Sequence, residues 1–432
     1  CAVTGFRLKA APSTANLGLN PGMDESMLKR SLESTVRQVD ATFPVLLLTG
    51  PRQVGKTTLL KAMAGDRHYV TLDDPDARHL AQTDPELFLQ RFPAPLLIDE
   101  VQYAPELFSG IKIRVDTNPR NGQYWLTGSQ KFLLRANVQE SLAGRVAILD
   151  LNGLSQAEID RRTAASQPFL PTESWVRTAR ATERAVDDVN ALYQRIWRGS
   201  YPRVVTQPDM PVDIFYSSYL QTYIQRDVRD LIAVRNEKTF VDFIRVLAAR
   251  TGQLVNFADM ARDASVDQTT AKTWLSVLEA SGLIYLLQPY HTNLTKRLVK
   301  TPKLYFLDTG LCAYLTRWTS AEALQAGALA GAILETWVIA ELLKSYWYHG
   351  KTPNFYFYRD KDQKEIDLLI EQDNLLHPVE IKKSASPNPA DVRHFAVLDK
   401  LGVPVGDGAL VCLKQVDIPL ARGITVIPAY YL

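Results

Sequence analysis

The stretch that decides the fold is FPVLLLTGPRQVGKTTLLKAM, residues 43–63. Its first seven residues form a continuous apolar run, which is typical of a buried strand in a parallel sheet. A loop with Gly50 and Gly55 follows, and the residues after the loop have the composition of a helix. This order directs backbone N–H groups and the positive end of the helix at an anion. The sequence therefore predicts an α/β fold with an anion site at the end of a strand.

The loop also matches G-x-x-x-x-G-K-T, the pattern that surrounds nucleotide phosphates. A lysine at this place adds charge near the β- and γ-phosphates, and the following hydroxyl can bind Mg²⁺. We therefore expect ATP or GTP to bind with Mg²⁺; the alternative is a glycine turn beside a surface lysine. The expected nucleotide-binding residues are Gly50, Pro51, Arg52, Gln53, Val54, Gly55, Lys56, Thr57 and Thr58.

A second apolar run, residues 95–98, ends in Asp99 and Glu100. The carboxyl ends of parallel strands face the crevice in which nucleotides bind. We expect Asp99 to hold Mg²⁺ together with Thr57, either directly or through water. Glu100 would polarise the water that attacks the γ-phosphate. The alternative is a strand that ends in acids for solubility.

Two further polar residues are catalytic candidates beside Lys56 and Glu100. Ser129 follows the predicted strand 124–127, where P-loop ATPases place a residue that senses the γ-phosphate; it could equally cap the next helix. Arg145 precedes the β-like run 146–151. It is either an arginine finger that acts on a neighbouring subunit or a surface arginine at a helix end.

Four short motifs, GPRQVGKTT, LLIDE, LTGSQ and LAGR, occur in this order along the chain. With residues 223–230, 248–253 and 302–311, the sequence resembles a large prokaryotic family of AAA-type ATPases that carry a C-terminal domain of unknown function. The resemblance extends over about residues 27–398. It implies a P-loop fold and ATP binding, and it adds little about biological role.

The middle of the chain has the order of a winged helix-turn-helix. Helical patterns at 240–249, 257–264 and 268–280 precede two β-like pieces at 283–287 and 304–307. Helix 268–280 would present polar side chains to DNA, and a basic strip, Lys296–Lys303, would neutralise phosphates. That strip contains Lys296, Arg297, Lys300 and Lys303. The alternative is a module that packs on the ATPase domain as a mechanical joint.

The C-terminal region has a nuclease-like constellation. Strands are predicted at 355–359, 364–370 and 376–382, and the two-residue period puts Glu380 and Lys382 on one face. Asp367 lies on the strand before, so the pattern matches the PD-(D/E)xK fold. Asp367 and Glu380 would hold Mg²⁺, with Glu335 as a third ligand, and Lys382 would activate water. The alternative is an ion-paired sheet face.

Composition excludes several classes of protein. Lys plus Arg number 49 and Asp plus Glu 47, so the net charge of +2 gives no chain-wide attraction for a polyanion. The three cysteines have no metal-like spacing, and no apolar run approaches the ~18 residues of a membrane span. We expect a cytoplasmic protein without membrane contact, with homo-oligomerisation open.

The 432 residues suggest about three domains of ~150 residues. We expect a disordered leader (1–26), an AAA-like P-loop ATPase domain (27–158), a linker or lid (159–210), a winged-helix domain (211–320) and a restriction-endonuclease-like domain (321–432). The leading hypothesis is a Mg²⁺-dependent ATPase whose nucleotide state controls a DNA-interacting C-terminal module. The alternatives are a nucleotide-switched DNA- or protein-binding regulator without nuclease activity, and an ATP-coupled Mg²⁺-dependent DNA nuclease.

Overall fold

The computed structural model describes residues 28–129, 141–184, 188–223, 237–291 and 301–432, so the predicted leader lies outside the described residues. Two β-sheets with helices packed around them form this part of the chain. The α-helices are Glu33–Thr42, Lys56–Met63, Pro75–Thr83, Pro85–Arg91, Leu107–Thr117, Gln156–Ile159, Glu173–Ala181, Val189–Arg198, Pro202–Thr206, Val212–Tyr223, Glu237–Ala248, Phe257–Asp263, Gln268–Ala280, Thr309–Leu315, Ala321–Ala326 and Ala330–Trp347.

The first sheet has five parallel strands in the order β2-β3-β4-β1-β5. The strands are β1 (Val45–Thr49), β2 (His68–Thr71), β3 (Leu96–Asp99), β4 (Tyr124–Gly128) and β5 (Val146–Asp150). β1, β3 and β4 are buried along their whole length, which explains their continuous apolar sequences. All carboxyl ends meet at one edge, and β4 lies between the P-loop strand and the acid-bearing strand. The predicted α/β fold with a parallel sheet is confirmed.

Side chains of β1 alternate between two hydrophobic cores because successive residues of a strand point to opposite faces. Val45 and Leu47 pack with Phe88 and Phe108 on one face. Leu46 and Leu48 belong to the other core, which continues through the middle of the chain as far as Leu432. The five-stranded sheet therefore shares one hydrophobic core with the C-terminal region.

The second sheet has nine strands in the order β13-β14-β12-β11-β10-β9-β7-β8-β6. They are β6 (Gln253–Leu254), β7 (Ile284–Pro289), β8 (Lys303–Phe306), β9 (Phe355–Arg359), β10 (Glu365–Gln372), β11 (Leu375–Lys382), β12 (Gly408–Cys412), β13 (Ile418–Ala421) and β14 (Ile424–Pro428). β7 pairs with β8 as a hairpin and with β9 in parallel, Gln288 opposite Tyr356. The middle hairpin and the C-terminal region thus belong to one sheet.

Several predicted elements of this half have the expected bounds. Helix Gln268–Ala280 and strand Phe355–Arg359 begin and end where the pattern places them. The turn between β10 and β11 has Asp373 and Asn374 at φ 51° and 64°. Two consecutive left-handed residues are typical of a two-residue hairpin turn, in which Asp and Asn are favoured.

The segment 159–210, which the sequence analysis treats as a linker or lid, is packed into the shared core. Helix Val189–Arg198 buries Leu192, Tyr193 and Ile196. Near the start of the segment, Asp160 pairs with Arg195 at 2.7 Å, and both carboxylate and guanidinium are largely buried. The apolar spacing of the helix accounts for this packing.

Among the described residues, no helix combines the length and the apolar character that a membrane crossing requires.

Candidate functional site

The phosphate-binding loop joins β1 to helix Lys56–Met63 and depends on glycine at both ends. Gly55 precedes the helix with φ 92°, and Gly50 has φ 145°. A Cβ at Gly50 would overlap the carbonyl oxygen of Leu151, so only glycine fits there. The loop therefore takes the curled path that directs backbone N–H groups at an anion near the helix start.

Lys56 lies across the loop that it follows. Its side chain is buried, and Nζ donates hydrogen bonds to the carbonyl oxygens of Gly50 at 2.9 Å and Pro51 at 2.8 Å. These bonds hold the ammonium group against the loop, where its charge favours a phosphate. Binding of a phosphate by Lys56 stays a prediction.

Asp99 and Thr57, expected to share Mg²⁺, are in direct contact. The hydroxyl of Thr57 donates to Asp99 Oδ1 at 2.8 Å, Tyr69 donates to Oδ2 at 3.2 Å, and Thr127 also donates to Oδ1. Burial and the charge of Asp99 raise the pKa of Tyr69 to about 12, so its hydroxyl remains a donor. A buried carboxylate among hydroxyls is a hard oxygen set, and it fits Mg²⁺ beside a bound nucleotide.

Glu100 and Ser129 flank this contact at the ends of β3 and β4. Glu100 adopts a left-handed backbone conformation, φ 58°, and its carboxylate accepts a hydrogen bond from Gln102. Ser129 is buried, and its hydroxyl has no hydrogen-bond partner among the described residues. An unpaired buried hydroxyl costs about 1–3 kcal/mol, which a phosphate oxygen could offset. Residues 130–140, which follow Ser129 directly, lie outside the described part.

Arg145 is at the opposite end of the sheet. Its backbone oxygen accepts from the N–H of Val45, the first residue of β1, whereas the P-loop follows the last residue of that strand. The distance along the strand is about 13 Å. The guanidinium pairs with Asp116 through two bonds of 2.5 and 2.9 Å. Arg145 therefore lies away from the P-loop of its own chain, and both expectations stay open: an arginine finger that acts on a neighbouring subunit and a surface arginine at a helix end.

Sequence reasoning missed Arg30, which holds the P-loop from behind. Its buried guanidinium donates to Val54 O at 2.8 Å and to Asn152 O at 2.9 Å, and it pairs with Glu158 at 3.1 Å. Burial has the largest single effect and lowers the pKa of Arg30, but the charges of Glu158 and Tyr348 and the hydrogen bonds to them together raise the pKa overall. The same guanidinium contacts the Tyr348 hydroxyl at 3.3 Å. The loop is thereby connected to the end of helix Ala330–Trp347, and no sequence pattern marks this contact.

A cleft of about 720 Å³ lies beside the P-loop. It is lined by Gly50 and Pro51 of the loop, Glu279 of helix Gln268–Ala280, Tyr285 of β7 and Trp347 of the long C-terminal helix. The size is within the range of small-ligand pockets. All three regions of the chain therefore meet next to the nucleotide site.

The structure brings the nuclease-like residues of β10 and β11 together. Leu368 pairs with Val379, so Asp367 and Glu380 lie opposite each other on the neighbouring strands. Asp367 Oδ2 accepts a hydrogen bond from the backbone N–H of Ile381 at 2.9 Å. Lys382 donates to Glu380 Oε1 at 2.6 Å, which is possible because the two side chains lie on the same face of β11.

Lys303 does not belong to an exposed basic strip, contrary to the expectation from the sequence. Its side chain is 4% exposed and points into the acidic residues, with Nζ 2.5 Å from Glu365, 3.3 Å from Glu335 and 3.7 Å from Asp367. β8 is buried along its length because it lies inside the nine-stranded sheet. The other basic residues of the strip, Lys296, Arg297 and Lys300, lie outside the described residues.

Burial and repulsion change the acidity of this carboxylate cluster, which we define as Glu335, Glu365, Asp367 and Glu380. Burial, followed by the negative charge of Asp367, raises the pKa of Glu335 to about 7 and that of Glu380 to about 8. Burial alone would lower the pKa of Lys303, but the charges of Glu335, Asp367 and Glu365 raise it overall. Lys303 therefore remains an ammonium ion.

The cluster as arranged does not fit a metal ion. Across the described ranges, no group of three or more His, Cys, Asp or Glu side chains is placed to hold one. Instead the ammonium of Lys303 lies among the acids, and the Tyr305 hydroxyl donates to Glu335 at 2.5 Å. Sequence reasoning missed three members of the site: Lys303, Tyr305 and Glu365. Glu365 could have been identified, because it lies two residues before Asp367 on β10 and therefore on the same face of the strand.

Three family models match the chain. One for an AAA domain covers residues 42–160, one for a domain of unknown function, DUF8612, covers residues 189–322, and one for DUF4143 covers residues 330–432. Two curated relatives are 29% identical over 407 residues, which is 93% of this chain and 83% of each relative. They are the uncharacterized proteins Mb2031c of Mycobacterium bovis and Rv2008c of Mycobacterium tuberculosis.

Solved structures show only a distant likeness. A Walker-type ATPase of Pyrococcus abyssi is 15% identical with a TM-score of 0.42, over 69% of this chain and 99% of that one. A signal-transduction ATPase with a tetratricopeptide-repeat sensor, from Pyrococcus horikoshii, is 12% identical with a TM-score of 0.24, over 76% and 50%. The domain assignments therefore rest on the family models and on the motifs.

Proposed function

Because this chain is an AAA-type P-loop ATPase with a C-terminal DUF4143 domain, we propose that it hydrolyses ATP with Mg²⁺ and that its nucleotide state controls the C-terminal module. The observation that carries the proposal is the hydrogen bond between Thr57 and Asp99, beside Lys56, at the carboxyl edge of a parallel sheet. Residues that are distant in sequence meet there in the arrangement that a nucleotide with Mg²⁺ requires.

Each residue has a definite role in this proposal. The loop N–H groups and Lys56 bind the phosphates, and Thr57 with Asp99 holds the metal. Bound Mg²⁺ would supply positive charge that stabilises the phosphate oxygens. Glu100 orients the attacking water and accepts its proton, and the Ser129 hydroxyl donates to the γ-phosphate.

Two variants test the ATPase proposal. We expect Lys56→Ala to abolish the binding of a fluorescent ATP analogue, because the loop loses its charge. Glu100→Gln should bind ATP but turn it over at least about 100-fold more slowly. Lys112→Ala, which removes an exposed lysine from another helix of the same domain, is the control and should behave as the wild type. If both variants hydrolyse ATP like the parent, the proposal is wrong.

The Arg30 contacts support control of the C-terminal module by nucleotide. Arg30 holds Val54 in the P-loop and Tyr348 after the long C-terminal helix, and the Tyr348 hydroxyl also donates to Gly153 O. A nucleotide that displaces the loop would therefore act on a residue of the C-terminal region.

Hydrogen exchange of residues 330–347, with and without ATP in the Glu100→Gln variant, tests this coupling. We expect ATP to change the exchange rates and Tyr348→Phe to reduce the change. Tyr346→Phe is the matched control, because its hydroxyl bonds to Phe169 O, away from the P-loop. Nucleotide control is contradicted if ATP leaves the exchange rates unchanged. It is also contradicted if ATP changes them equally in Tyr348→Phe and Tyr346→Phe.

DNA is the partner that we propose, bound through a helix of the middle region. Helix Gln268–Ala280 buries Ala271, Trp274, Leu275 and Leu278. Its other face exposes Gln268, Thr269, Lys272 and Thr273, which are suitable for base edges and phosphates. Fluorescence anisotropy with duplex DNA should show weaker binding for Lys272→Ala, and binding should depend on salt and on ATP. If Lys272→Ala binds DNA as tightly as the wild type, this helix is not part of the DNA interface.

Of the two alternatives, a regulator without nuclease activity is favoured by the ammonium of Lys303 among the acids. The ATP-coupled nuclease is tested by incubating DNA with Mg²⁺ or Mn²⁺, with and without ATP. Cleavage by the wild type that Asp367→Ala and Lys382→Ala abolish would establish the nuclease. Cleavage that persists in both variants would come from a contaminant.

A further inference from the structure

The carboxylate cluster is assembled from three elements of the C-terminal region and receives its cation from elsewhere. Glu335 lies on helix Ala330–Trp347, Glu365 and Asp367 on β10, and Glu380 on β11. Lys303 comes from β8, the second strand of the middle hairpin. A cation from one region thus neutralises acids of another.

We propose that Lys303 takes the place of a divalent cation in the carboxylate cluster, so that the cluster is a latent site for Mg²⁺ or Mn²⁺ that the ammonium keeps closed. This inference goes beyond the proposed function, and it depends neither on ATP turnover nor on DNA cleavage.

The first argument is the number of acids around one ammonium. A lysine has three N–H donors, and the three carboxylates of Glu335, Glu365 and Asp367 lie within ion-pair distance of Nζ. Lys344, another buried lysine, pairs with the single acid Glu341 and with the carbonyl oxygen of Leu154. One acid suffices to compensate a buried lysine, and a convergence of three is typical of a cation site.

The second argument is an unpaired oxygen in the same cluster. Glu380 is 5% exposed, its Oε1 accepts from Lys382, and its buried Oε2 has no hydrogen-bond partner among the described residues. Asp367 lies opposite Glu380 on the neighbouring strand. A buried carboxylate oxygen without a partner is costly, and a divalent cation is a ligand that would satisfy it.

The third argument concerns charge. Three basic groups pair with the four acids: Lys303, Lys382 with Glu380, and Arg359 with Glu365 at 3.2 Å. Even with Glu380 protonated, loss of the Lys303 charge leaves the carboxyl groups of Glu335, Glu365 and Asp367 without the ammonium that compensates them, so their ionised forms repel each other. Oxygen ligands with excess negative charge select a hard divalent cation.

The test compares the full-length wild type with Lys303→Met, which keeps the length of the side chain without its charge. Both are titrated with Mn²⁺ in the absence of nucleotide, and both the melting temperature and bound Mn²⁺ are measured. We expect Lys303→Met to melt at a lower temperature and to recover when Mn²⁺ is added, because a ligand of the folded state stabilises it. Its Mn²⁺ affinity should be at least about tenfold above that of the wild type.

Two controls separate this result from a general loss of a buried ion pair. Lys344→Met should also lose stability, but Mn²⁺ should not restore it, because only one acid is left. Adding Glu335→Gln to Lys303→Met should abolish the recovery. A folded Lys303→Met protein that gains no stability from Mn²⁺ overturns the proposal.

If Lys303→Met does not fold, measurements on the wild type test whether Lys303 closes the carboxylate cluster to Mn²⁺. Mn²⁺ binding is then compared between the wild type and Asp367→Asn, both without nucleotide. The two proteins should bind the same amount of Mn²⁺, because the cluster of the wild type is closed. Mn²⁺ bound to the wild type and lost in Asp367→Asn would show that metal and lysine coexist, and it would overturn the proposal. ATP turnover of the same preparations is measured separately, so a failure of the ATPase proposal leaves this test intact.

Discussion

The two sheets each carry a site with buried acids, and the groups around the acids differ. The Asp99 carboxylate accepts hydrogen bonds from the hydroxyls of Thr57, Tyr69 and Thr127. In the nine-stranded sheet an ammonium, that of Lys303, contacts the acids directly. A hydroxyl can remain beside an incoming cation, whereas an ammonium competes with it. Acids near strand ends therefore do not define a metal site until their neighbours are known.

The largest expected effect concerns Arg30, which links the two regions. Arg30→Met leaves Glu158 buried without its guanidinium partner. We expect a loss of about 3–5 kcal/mol in the free energy of unfolding, measured by denaturant titration. Arg177→Met is the control, because the Arg177–Glu173 pair is exposed and should contribute less than about 1 kcal/mol. Equal losses in the two variants would contradict the importance of the buried bridge.

The next effect distinguishes the acids of the two sites by their chemistry. Asp99→Asn should reduce Mg²⁺-dependent ATP turnover at least about 100-fold, because a metal ligand is removed. Asp367→Asn makes the same change in the carboxylate cluster and should leave turnover within about twofold of the wild type. Steady-state hydrolysis at saturating ATP measures both. A comparable fall in both variants would mean that the cluster takes part in hydrolysis.

A smaller effect depends on pH and belongs to the cluster alone. The pKa of Glu380 is raised to about 8, so the folded state holds a proton that the unfolded state releases near the ordinary value of 4.5. This contribution to stability is complete below pH 4.5 and is lost as the pH rises through 8. Glu380→Gln should therefore gain about 2 kcal/mol relative to the wild type between pH 6 and pH 8.

Denaturant unfolding at a series of pH values measures that difference. Glu173→Gln alters an exposed glutamate on a helix and is the control. Its stability should follow the wild-type dependence on pH. A Glu380→Gln protein that also follows the wild-type curve would show that Glu380 is ionised in the folded state.

The smallest effect is expected at Arg145. Arg145→Ala and Asp116→Ala break the same solvent-screened pair, so neither should change thermal or denaturant unfolding by more than the scatter of the measurement. ATP turnover then distinguishes the two interpretations. A fall confined to Arg145→Ala and dependent on protein concentration would establish a finger that acts on a neighbouring subunit. Equal turnover in both variants would assign Arg145 to the surface.

The nucleotide site was largely predictable because its parts are contiguous. Gly50, Gly55 and Lys56 lie in one loop whose conformation follows from glycine and from the helix start. Asp99 was recognisable because it ends a buried strand. Thr127 and Tyr69 complete the site from β4 and β2, and their contribution follows from the strand order. The parallel sheet brings these ends together, and local patterns carry no information about that neighbourhood.

Lys303 shows why the cluster could not be predicted to the same extent. In the sequence it belongs to a run with Lys296, Arg297 and Lys300, which indicates an exposed basic surface. In the structure it lies on a strand inside a sheet, and its charge is compensated by three acids from two other elements, the long C-terminal helix and β10. The pairing of β7 with β9 joins the two regions, and this parallel contact has no signature in either strand.

The sequence by itself determined the parallel sheet and the loop with Lys56 and Thr57. It also determined the acids Asp99 and Glu100 at a strand end and the bounds of the strands that carry Asp367 and Glu380. These features follow from backbone preferences and from hydrophobic periodicity, which act between near neighbours in the chain. Only the tertiary structure decided that Arg30 holds the P-loop and that Lys303 lies among the acids. Burial makes such distant charges meet, because a charge removed from water requires a partner wherever the chain provides one.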